Sequence, residues 1–190
     1  AIDAMLDLVR THDLKPDAVQ RIQSWTHARR LEHTNRPDPQ STKDAKFSVQ
    51  YCVARALVDR KVTIEHFEGE TYKDPQVRKL MALVEAAPYG TEQFPADNHV
   101  GAEVKVTLRG GTSLTAKVDR AAGRSSDNPL PKERLGEKFE NCALRVLSPD
   151  RTAAVYGLIQ DFEKLTDVRV LHNAMTTDVA PRRAGSAAMA

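Results

Sequence analysis

The chain has 190 residues, with 28 Lys and Arg against 26 Asp and Glu, for a net charge of +2. Nine Gly, ten Pro and two Cys exclude collagen-like, low-complexity and disulfide-scaffold classes, and 41% hydrophobic residues suffice for a real core. The basic pairs Arg29-Arg30 and Arg182-Arg183 lack interleaved aromatics, which argues against a nucleic-acid partner, and no apolar run reaches the ~20 residues of a membrane span.

The first segment, residues 1–13, is predicted to be a helix, because Ile2, Met5, Leu6 and Val9 recur at i, i+3, i+4 and i+7. Three Asp residues within the first thirteen do not fit a signal peptide. Residue 1 is Ala rather than Met and no capping residue precedes the helix, so a processed chain or a piece of a longer protein is expected. Pro16 opens a short turn. Ile22, Trp25 and Thr26 suggest a strand over 21–29, followed by a polar loop in which Pro37 and Pro39 oppose regular helix.

A single helix is expected over 43–59, capped by Thr42. Ala45, Val49, Cys52, Val53, Ala56 and Leu57 form its apolar stripe. Asp44, Phe47, Ser48, Tyr51, Arg55 and Val58 form a second, mixed face, of the kind that borders a cleft. Thr63 caps a short turn through Phe67, and Asp74-Pro75 starts another helix with a cap and a proline at its first position. An extended stretch follows near 83–89.

Val100, Ala102, Val104, Val106 and Leu108 alternate with polar or small residues, Gly110-Gly111 supplies a tight turn, and Leu114, Ala116 and Val118 alternate again. This reads as a β-hairpin. After a loop over 119–131, Leu135, Phe139, Cys142, Ala143, Val146 and Leu147 keep a helical period. Asp150 is expected to cap a further helix with Val155, Leu158, Ile159 and Phe162 inward, and a last helical piece spans about 165–175. The tail, 176–190, has little to bury and is expected to be disordered. The fold class is therefore α+β: a small, mostly antiparallel sheet with a β-hairpin, covered by helices, in one domain over 1–175.

Chemical motifs are mostly absent: the chain has no GxGxxG, Walker loop, HExxH, CxxC or G-x-S-x-G. The six His residues never pair at i+3 or i+4, so no metal centre is expected. Cys52 and Cys142 both fall in apolar helical patterns and read as small core residues, though a bridge between them stays open. A reducing, cytoplasmic setting is expected.

One stretch stands out, NRPDPQSTKDAKFSVQYCVARALVDRKVTIEHF, and it resembles the C-terminal domain of the MmgE/PrpD family. That family includes 2-methylcitrate dehydratase, cis-aconitate decarboxylase and iminodisuccinate epimerase. DPQVRKL is similar to its next helix, VKVTLRGGTSLT to its hairpin, and GRSSDNPLPKERLGEKFENCA to its Gly-containing loop and following helix. The resemblance runs from about Ala1 to Leu171. Two departures are visible: Pro131 stands where a Ser or Thr cap is common, and Ala121-Ala122 separate Arg120 from Gly123.

The resemblance implies a cofactor-independent lyase, a dehydratase or decarboxylase of small di- or tricarboxylic acids, with neither metal nor organic cofactor. It implies an active site shared with a helical N-terminal domain of the same enzyme, which supplies His and Asp residues, and a Lys just upstream of this chain. This chain alone is then expected to be inactive, and a homodimer is expected for the enzyme. Tyr51 matches the family's active-site tyrosine and is the expected catalytic residue, hydrogen-bonding a substrate carboxylate or relaying a proton. Lys46, Ser48 and Arg124 are the expected substrate-binding residues: Lys46 as a cation, Ser48 as a hydroxyl on the face of Tyr51, and Arg124 in a basic loop. The alternatives are an isomerase or epimerase of the same family, or a non-catalytic interaction or oligomerisation module.

Overall fold

The structure, a computed structural model, describes residues 1–176. It divides into two compact units, 1–129 and a second from Leu130 onward. Among the described residues no helix is long and apolar enough to cross a membrane. The tail beyond Thr176, expected to be disordered, lies outside the described residues.

The first unit is built on a four-stranded sheet of order β2-β1-β3-β4. Its strands are β1 (Val19–Thr26), β2 (Val84–Pro88), β3 (Ala102–Leu108) and β4 (Ser113–Val118). The predicted hairpin is β3-β4, with Val104 opposite Ala116, and Gly111 at φ 85° makes the turn. β1 lies antiparallel to β3 and parallel to β2, so the sheet is mixed. The parallel pair requires a long crossover, and the helices between β1 and β2 supply it.

Alternation puts Ile22, Ser24, Val104, Val106 and Ala116 inside. A register shift between Val19 and Arg21 lets Val19 point inward as well. Helix α1 (Ile2–His12) buries Ala4, Met5, Leu8 and Val9 in the same cluster.

The crossover differs from the sequence expectation in two places. The strand ends at Thr26, and His27 begins a helix, α2 (Ala28–Thr34), where a loop was expected. The expected single helix over 43–59 is two: α3 (Thr42–Lys46) and α4 (Val49–Asp59). Ser41 caps α3 by accepting from the Asp44 N–H, and Ser48 caps α4 by accepting from the Tyr51 N–H. The chain breaks at Phe47–Ser48 because the Ser48 hydroxyl offers that N–H a partner outside a continuing helix. After the short turn capped by Thr63, Asp74 caps α5 (Pro75–Met81) as predicted.

The second unit contains α6 (Lys132–Ala143), α7 (Pro149–Gln160) and α8 (Arg169–Met175). Phe139 and Tyr156 stack with ring centroids 5.3 Å apart. Ser148 rather than Asp150 caps α7, with Pro149 at its first position. Of the positions expected to face inward, Val155 is buried, but Leu135, Ile159 and Phe162 are exposed. Cys142 is exposed too, whereas Cys52 is buried, and both thiols are free.

Candidate functional site

A cavity of about 500 Å³ opens in the first unit. Ile2 and Asp3 of α1, the end of β1, α2, the α3–α4 junction, the start of β3 and the loop after β4 converge on it. Its apolar wall includes Phe47, Val49, Cys52 and Ala102, and its polar rim carries Arg30, Lys46 and Arg124. Each of these cations comes from a different element: α2, α3 and the loop after β4. All three are exposed, and among the described residues none of them makes an ion pair. The cavity's carboxylate, Asp3, is engaged, accepting the Ala122 N–H at 3.2 Å and so holding the loop that carries Arg124. The first turn of α4 also faces this space, which adds a partial positive charge. A cavity with three free cations and an apolar wall suits a small molecule bearing several carboxylates.

Lys46, Ser48 and Arg124, expected from the sequence to contact substrate, all line this one cavity. The Ser48 hydroxyl, however, is already used. It donates to the Arg36 carbonyl at 2.6 Å and accepts the Tyr51 N–H at 3.0 Å. Arg30 was missed, because a basic pair reads as solvated surface charge. Its only sequence signal is its nearness to the polar segment that precedes the α3 cap.

Tyr51 does not line the cavity and is fully buried. Its hydroxyl donates to the His66 carbonyl and accepts from Arg55 Nε at 3.0 Å. Arg55 is only 5% exposed. Its remaining nitrogens reach Asp59 and Asp74, each at 3.2 Å, and the Thr71 carbonyl at 2.7 Å. His66 Nδ1 accepts the Thr63 N–H at 3.0 Å, and its Nε2 lies 3.5 Å from Asp59. Burial holds the His66 pKa below the ordinary imidazole value; Asp59 opposes this and Arg55 adds to it. Tyr51 is thus one member of a satisfied buried network beside the site.

Cys52, in the cavity wall, has its thiol pushed up to about 11 by burial, so it stays protonated and acts as an apolar group. A second cavity, of about 560 Å³, is lined by Asp97, Asp119 and Asp127, the last paired with Arg120 at 3.1 Å. Its carboxylates make it a poor receptor for anions. Among the described residues no group of three or more His, Cys, Asp or Glu is placed to hold a metal ion.

Comparison with known proteins places the chain in a family. The MmgE/PrpD C-terminal domain matches residues 1–163, so the chain belongs to that family. Human cis-aconitate decarboxylase is 33% identical over 141 residues, covering 74% of this chain and 29% of that protein. The mouse cis-aconitate decarboxylase is 30% identical over 141 residues, and that of Aspergillus terreus 27% over 137. The chain spans under a third of the length of these relatives.

Proposed function

We propose that this chain is the C-terminal domain of a cofactor-independent lyase acting on a small di- or tricarboxylic acid, and that the cavity holds the substrate's carboxylates. The observation that carries this reading is the convergence of Arg30, Lys46 and Arg124, unpaired, on one cavity of an MmgE/PrpD domain. Loss of a carboxyl group as CO2 leaves an electron pair on the adjacent carbon, and loss of water begins by removing a proton there. Both steps raise negative charge beside carboxylates that are already anionic, and fixed cations lower that cost.

The proton-transfer groups would come from the helical domain of the same enzyme, so this chain alone binds without turning over. The length of the relatives supports a further domain, as do the exposed Leu135, Val146, Phe162 and Val168 of the second unit, which need a cover. In this reading Tyr51 supports the site from within: its N–H fixes the Ser48 cap and its phenol anchors Arg55. It reaches substrate only by giving up those partners.

The test is a calorimetric titration of citrate into the chain. Lys46→Met and Arg124→Met should each weaken binding about tenfold, the scale of one charge-assisted contact. Absence of binding by the unmodified chain, or unchanged affinity in both variants, would overturn the reading.

A further inference from the structure

α2 carries Arg30 into the cavity, yet none of its residues is buried. Leu31 and Thr34, its inward residues, are only half-buried, so ties at its two ends bear much of its position. At the start, His27 Nε2 and His99 Nδ1 lie 3.1 Å apart on the surface. At the other end the tie has buried partners on the α4 side. Gln50 Nε2 donates to Asn35 Oδ1 at 2.7 Å, and Gln50 Oε1 accepts the Arg36 N–H at 3.2 Å. The Ser48 hydroxyl takes the Arg36 carbonyl. Gln50 is 2% exposed and Ser48 1%, so these bonds are not exchanged for water without leaving buried groups unpaired.

Both Gln50 and Ser48 belong to the first turn of α4 and its cap. Lys46 stands two residues before that cap in the chain. The two cations are therefore referred to one region: Lys46 through the backbone, and Arg30 through the Gln50 amide, the Ser48 hydroxyl and the pairing of Arg36 with Asp44 at 2.9 Å.

We infer that Gln50 is a positioning residue of the carboxylate site: by gripping Asn35 and Arg36 it fixes where α2 holds Arg30, and so the span between Arg30 and Lys46. The inference rests on the carboxylate reading of the cavity. A fixed span between two cations selects ligands by the distance between their carboxylates, so the Gln50 amide determines specificity without touching the ligand.

The experiment is a double-mutant cycle on the full chain, with citrate affinity measured by calorimetry for the unmodified protein, Arg30→Met, Gln50→Leu and the pair. Arg30→Met should weaken binding about tenfold. Gln50→Leu should weaken it roughly fivefold when Arg30 is present, and by less than about twofold when Arg30 is gone, because a residue acting only through Arg30 has nothing left to act on. A merely structural role would multiply the two losses, and that result overturns the inference, as does an unchanged affinity in Gln50→Leu. Should Gln50→Leu not fold, Asn35→Ala takes its place in the cycle with the same expectations, since Asn35 is exposed. If the unmodified chain binds no citrate, the cavity reading falls and the inference with it. A loss in Arg30→Met with none in the Gln50 or Asn35 variant overturns the inference alone.

Discussion

Tyr51 and Arg55 each complete the other. The guanidinium is buried with two carboxylates, a carbonyl and the phenol around it, and a buried charge left without a partner is expensive. Tyr51→Phe removes one partner of Arg55 Nε and the donor to the His66 carbonyl. It should lower stability by about 1–3 kcal/mol, seen as a lower urea midpoint at unchanged slope. A phenol in direct contact with substrate would instead cost turnover in the whole enzyme with the midpoint unmoved. His66, in the same network, gives a pH signature. Its pKa is held below the ordinary 6.5, so the unfolded chain takes up the proton first as pH falls. Stability is therefore flat above that ordinary value, drops as pH falls through it, and levels off below the folded value. Urea melts at several pH values should show this slope in the unmodified chain and lose it in His66→Asn, whose side-chain oxygen can still accept the Thr63 N–H.

At the scale of elements, legibility in the sequence followed burial. The β3-β4 hairpin was readable because one face is inside and the other wet, and the Gly110-Gly111 turn has few alternatives. α1 and α5 were readable for the same reason, the latter helped by its Asp74-Pro75 start. α2 was not readable: periodicity reports which side is buried, and a helix with no buried residue leaves no period to find. The α3–α4 break escaped because Ala45, Val49 and Cys52 keep one stripe across it, while the cap that interrupts the helix depends on the hydroxyl of Ser48. In the second unit Val155 is buried as its spacing implies, but Phe162 lies beyond the end of α7, and Leu135, Ile159 and Phe162, placed inside by spacing, stand exposed. The candidate site was half legible for a related reason. Lys46 and Arg124 were found as cations in the region of the family match, whereas Arg30 has no local pattern, and the cavity joins residues more than a hundred positions apart.

At the scale of the molecule, the family domain carries the candidate cavity and spans under a third of the length of its relatives. The net charge of +2 over the whole chain hid the concentration of cations at that cavity. Most of the cavity rests on the sheet and on α1 and α4, elements locked into the core cluster. α2 is the exception, and its lack of any buried side chain has a consequence in time. Opening α2 exposes no fully buried side chain of its own, so it should open far more often than the unit unfolds. In hydrogen exchange, the amides of residues 28–34 should exchange well before those of α4 and slow when citrate is present. Protection equal to that of α4 in the free chain would show α2 to be held by more than its ends. An α2 that opens ahead of the rest would give ligand a way in and out at the cost of the Gln50 and Ser48 bonds alone.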